Sequence, residues 1–119
     1  MTTTEAIRLQ LRSWPEVEAY LERCKGVILP LGSTEQHGPT GAIGTDALTA
    51  EAVALEVGRR SGVLVTPAQA FGMAEHHLGF AGTVSLQPST LSLSLLLTVN
   101  APPCILAKLC EKDKPIPTP

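Results

Sequence analysis

Apolar residues follow different periods along this chain, and the switches between them mark out its elements. Val17, Tyr20, Leu21 and Cys24 stand at i, i+3, i+4 and i+7, one face of a helix. Ahead of them Ser13-Trp14-Pro15-Glu16 has the form of a capping box, with serine as N-cap, proline in the first turn and glutamate three residues on. Gly26 supplies the stop. Val27 to Leu31 is an aliphatic run interrupted by Pro30, which reads as a short buried parallel strand ending near Leu31. Asp46 is placed to cap a second helix from Ala47 to Arg60, and the closing pair Arg59-Arg60 suits the negative end of the helix dipole. Val63-Leu64-Val65 predicts another strand, stopped by Pro67, and Thr83 to Leu86 a third. From Pro88 to Leu97, Leu91, Leu93 and Leu95 alternate as in a strand, but the proline-serine-threonine head resembles a helix start, and a helix is favoured.

Helix, strand, loop, helix, strand is the alternation of an α/β layered domain. Its two polar, glycine-bearing loops, Gly32 to Thr45 and Gln69 to Gly82, both follow strands, where open α/β sheets place their sites. From Asn100 the texture changes to prolines, lysines and two cysteines without a periodic apolar face. The expected organisation is a domain over 1–99 followed by a divergent proline-rich tail over 100–119.

Composition narrows the classes of function. With 44% apolar and 17% charged residues the chain has material for one globular core and no disorder signature over most of its length. A net charge of −2 with mixed signs offers no basic stripe for nucleic acid and no polybasic face for a membrane surface. The longest apolar stretch, Leu91 to Val99, is far below the roughly 20 residues of a membrane span. Three cysteines with no C-x-x-C pair suggest neither a disulfide framework nor a zinc finger, and no secretory pattern opens the sequence, so the expected location is the cytoplasm.

The first polar loop carries the chemistry. Glu35 and His37 lie two positions apart, so an extended backbone projects them to one side, and Asp46 adds a second carboxylate from a helix start. One imidazole and two carboxylates suit zinc, manganese or a related divalent ion, which would acidify a bound water. Taken as spacing alone, solvated loop residues and a helix-capping aspartate explain the same pattern. The second loop contains Glu75, His76 and His77.

Leu29-Pro30-Leu31-Gly32-Ser33-Thr34-Glu35-Gln36-His37-Gly38-Pro39, followed by Gly44-Thr45-Asp46, closely resembles the signature of the creatininase, or creatinine amidohydrolase, family. Phe71 to Thr83 is similar to that family's second block, in the same order, and the resemblance runs from about Trp14 to Leu97. It implies a three-layer α/β/α domain with a mainly parallel sheet, present here in part and truncated at the carboxyl end. It implies a binuclear zinc or manganese centre to which Glu35, His37 and a bridging Asp46 contribute. It also implies His77, with His76 and Glu75, at a pocket for a small-molecule amide, in a homo-oligomer. The expected activity is hydrolysis of a non-peptide C–N bond, in a cyclic amide or formamide, by metal-activated water. Thr40-Gly41-Ala42-Ile43 departs from the family pattern, and the sequence contains no later Asn-Gly-His motif; no histidine follows His77. The alternative expectation is therefore a truncated, inactive metal-binding or interaction fragment, or a chain whose missing half is supplied by another.

Overall fold

The computed structural model describes residues 4–99, with side chains described as far as 95; the expected tail over 100–119 lies outside the described residues. Among the described residues there are three α-helices: α1 (Trp14–Arg23), α2 (Thr45–Ser61) and α3 (Pro88–Val99). Short 3-10 turns occupy Glu5–Ile7, Leu9–Leu11 and Glu75–His77.

Helix α1 forms where the capping signal places it. The Glu16 carboxylate accepts the Ser13 backbone N–H at 2.7 Å and the Ser13 hydroxyl at 2.6 Å, which occupies a donor the helix leaves orphaned. Its packed face is the expected one: Tyr20 is buried, and Val17, Leu21 and Cys24 are half-buried. The helix stops at Arg23, short of Gly26, because Cys24 is already extended. The Tyr20 hydroxyl donates to the Gly26 carbonyl and accepts the Leu64 N–H at 3.3 Å, tying the end of α1 to the centre of the fold.

Helix α2 begins two residues before the sequence places it. Gly44 is its N-cap residue and Asp46 lies inside the first turn, so the aspartate favours the positive end of the dipole without being the cap. Gly62, at φ 72°, closes the helix in the left-handed region that favours glycine. Within α2, a Cβ on Gly58 would stand 2.6 Å from a Val65 methyl and 2.8 Å from the Val63 carbonyl, so this glycine permits the helix to lie directly on the central run.

The expected strands are present as single bridges. Val65 is the hinge of the pattern, bridged in parallel to Arg8 on one side and Ile28 on the other. Leu31 bridges Gln69 in parallel, and Thr34 bridges Val84 antiparallel. No continuous strand occurs among the described residues, which corrects the expectation of ladders over Val27–Leu31, Val63–Val65 and Thr83–Leu86. The cause is local. Pro30 and Pro67 lack the N–H a ladder needs, and between the two bridges of this pair one side advances from Ile28 to Leu31 while the other must cover Val65 to Gln69, one residue more. Three of these four bridges are parallel. Ile7, Ala54 and Val65 form the buried cluster, with Ile28 and Leu55 packed against it. Neither Ile7 nor the pairing of Arg8 is foreshadowed by periodicity.

Candidate functional site

The loop between the first expected strand region and α2 is shaped by its own backbone. Gly32 passes so close to α2 that a Cβ on it would be 2.4 Å from the Ala47 Cα and 2.5 Å from the Ala47 nitrogen, and this contact sets residues 32–37 against the first turn that carries Asp46. The Glu35 N–H donates to the Ile43 carbonyl at 2.9 Å and closes the loop on itself. Gly38, at φ 75°, turns the chain and aims its N–H at the Gln36 amide oxygen, 2.8 Å away.

These constraints bring Glu35, His37 and Asp46 together: one donor atom from each lies within 4.8 Å of the others. His37 Nε2 is 3.3 Å from Asp46 Oδ1. Donors held about 2.0–2.2 Å from a shared ion stand roughly 3–4 Å apart, so the set needs only a small contraction to fit one divalent ion. The tautomer of His37 is suited to it. Nδ1 lies 3.0 Å from the Glu35 carbonyl, which can only accept, so in the neutral ring Nδ1 carries the proton and Nε2 presents its lone pair toward Asp46. The Glu35 carbonyl, and after it the Asp46 carboxylate, also raise the His37 pKa above its usual value.

The second loop docks on the first. The Gln36 N–H donates to Thr83 Oγ1 at 3.1 Å, the Thr34 hydroxyl to the Ala70 carbonyl at 2.8 Å, and the Val84 N–H to the Thr34 carbonyl at 2.9 Å. His77 reaches the cluster, with Nε2 4.0 Å from Glu35 Oε1 and Nδ1 2.9 Å from the Gln36 amide nitrogen. His76 packs its ring on that of His77, centroids 4.0 Å apart, and is exposed. Glu75 is exposed and accepts the Gln87 amide at 2.6 Å, away from the cluster. Beside the donors lies a cleft of about 280 Å³ lined by Gln36, Gly38, Pro39, Ile43, Phe80 and Ala81, without a charged side chain.

Three contributors escaped the sequence. Ser33, whose hydroxyl donates to Glu35 Oε2 at 2.9 Å, Gln36 and Thr83 are ordinary loop residues by type, and their roles depend on how the two loops meet.

The sequence model of the creatininase (creatinine amidohydrolase) family matches residues 10–100. The mycofactocin precursor peptide peptidase of Mycolicibacterium smegmatis is 42% identical over 76 residues, covering 59% of this chain and 31% of the relative. The 3-dehydro-scyllo-inosose hydrolase of Thermotoga maritima is 30% identical over 88 residues, 73% of this chain and 28% of the relative. The creatinine amidohydrolase of Pseudomonas putida is 35% identical over 86 residues, 67% of this chain and 33% of the relative. A creatininase crystal structure superposes with a TM-score of 0.74 at 29% identity, covering 80% of this chain and 39% of that one. Similar creatininase structures include a Zn-Zn type, a manganese form and a complex with creatine. The chain spans about a third of the length of the curated relatives it matches.

Proposed function

The chain belongs to the creatininase family, and from that premise we propose that it binds a divalent metal ion, zinc or manganese, through Glu35, His37 and Asp46 as part of a metal-dependent hydrolase of C–N bonds. The observation that carries the reading is the convergence of those three donors within 4.8 Å. The family likeness supports it: the creatininase sequence model spans residues 10–100, which include the loops that hold the donors.

A bound ion would supply an acidified water and a Lewis acid for a carbonyl. The chain's own contribution is positional. Asp46 and Glu35 provide the negative charge that holds the cation. The Glu35 carbonyl fixes the His37 ring with Nε2 free to ligate. The uncharged cleft beside Gln36, Ile43 and Phe80 would receive a neutral group next to the reacting amide. A relative is named as acting on creatinine, a small cyclic amide, and such an amide is the proposed substrate; a peptide, named for another relative, is the competing one.

A second reading is a fragment that binds metal without turnover. Its support is the donor set: three donors hold one ion. One experiment separates the two readings. Purified chain is loaded with zinc or manganese, metal content is measured, and hydrolysis of creatinine and of a short peptide is assayed, with Asp46→Ala as control. Stoichiometric metal with turnover, both lost in Asp46→Ala, supports the hydrolase; stoichiometric metal without turnover supports the fragment. Absence of metal in the unaltered chain overturns both.

A further inference from the structure

We infer that His77 is a positioning residue for the Glu35 carboxylate, locked by Gln36 in the tautomer whose proton sits on Nε2; the inference rests on the metal reading above. The Gly38 backbone N–H can only donate, so the Gln36 side-chain oxygen faces it, at 2.8 Å. The Gln36 amide nitrogen then faces His77 Nδ1 at 2.9 Å. An amide NH2 has no lone pair to offer, so Nδ1 must accept, and the neutral ring carries its proton on Nε2. Nε2, which carries that N–H, lies 4.0 Å from Glu35 Oε1. The separation exceeds a normal hydrogen bond by roughly 1 Å, which a modest rotation of the carboxylate closes.

The other carboxylate oxygen, Oε2, accepts the Ser33 hydroxyl at 2.9 Å. Glu35 is thus flanked by a donor on each oxygen, leaving the remaining lone pairs for a cation. The same tautomer argues against two other roles for His77. With its proton on Nε2, the ring offers neither a ligating lone pair nor a general base to the donor cluster. The two loops are fastened independently of the histidine through Gln36 N–H to Thr83 Oγ1, so removing the ring leaves their docking contact in place.

The test uses the full chain. Zinc affinity is measured by competition with a chelating dye for the unaltered protein, His77→Phe, His77→Gln and Gln36→Leu, with thermal melts to check folding. The tautomer is read on the unaltered, metal-free protein from the nitrogen chemical shifts of the His77 ring, at a pH where it is neutral. His77→Phe should weaken zinc binding by about 10- to 100-fold, the usual range for losing a partner of a metal ligand. His77→Gln, whose amide nitrogen stands near the place of Nε2, should recover most of that loss, and Gln36→Leu should fall between. A proton found on Nδ1, unchanged zinc affinity in His77→Phe, or no recovery in His77→Gln would each overturn the inference while leaving the metal reading standing. Failure of the unaltered chain to bind zinc would overturn both.

Discussion

Replacing Gly32 by alanine tests whether one backbone contact assembles the proposed metal donors. The added Cβ would meet the Ala47 Cα at 2.4 Å and the Ala47 nitrogen at 2.5 Å, and both are backbone atoms that cannot rotate aside. Ordinary carbon–carbon contact begins near 3.5 Å, so residues 32–37 and the start of α2 must separate by about 1 Å. Overpacking of this kind costs about 1–3 kcal/mol, or a fall in melting temperature of roughly 4–12 °C for a chain of this size. The functional cost is larger. Asp46 precedes Ala47 directly, so the displacement pulls it from Glu35 and His37 by several times the roughly 0.2 Å tolerance of a metal–ligand distance. Gly32→Ala should therefore lose zinc affinity by more than its stability loss accounts for, as measured by dye competition on samples shown folded by circular dichroism. A variant with unchanged melting temperature and unchanged zinc affinity would refute the claim that this contact positions the donors.

Two further outcomes concern the fold. Val65 is 1% exposed and bridges chain segments on both sides, so Val65→Ala removes two methyl groups' worth of burial and leaves a void; denaturant titration should show a loss of about 2–3 kcal/mol. Glu16 is held at a pKa of about 2, against an ordinary 4.5, by its hydrogen bonds to Ser13 and to Arg12. Because the folded value is the lower one, this contribution is fully present above about pH 4.5 and disappears as pH falls toward 2. Urea midpoints followed from pH 5 to pH 2 should show a shallower acid dependence in Glu16→Gln; an unchanged slope would mean that the capping contact does not form in solution.

What the sequence made legible was what neighbours in the chain decide. Ser13 and Glu16 announce α1 because both halves of the capping contact lie within four residues; Glu35, His37 and Asp46 stand out through the resemblance of their segment to a family signature, since their spacing alone also fits solvated loop residues and a helix cap. Asp46 was misplaced as a cap because aspartate suits both the N-cap and the first turn, and only the backbone at Gly44 and Thr45 separates the two. The strand runs were recognised by composition, but the mismatch between Ile28–Leu31 and Val65–Gln69 is a relation between distant segments that neither segment carries alone. Ser33, Gln36 and Thr83 belong to the same class: their partners are set by the docking of two loops.

The closeness of the three donors along the chain has a consequence for how the domain would acquire its shape. Bringing Glu35 and His37 to Asp46 requires closing only a short loop, already latched by the Glu35 N–H to the Ile43 carbonyl. The entropy cost of such a closure is lower by about 1–1.5 kcal/mol than that of joining Arg8 or Ile28 to Val65 across dozens of residues. A cation captured early would hold the start of α2 against the preceding segment before the long-range pairings form. It would then act as a folding template, and the order of assembly would run outward from the ion.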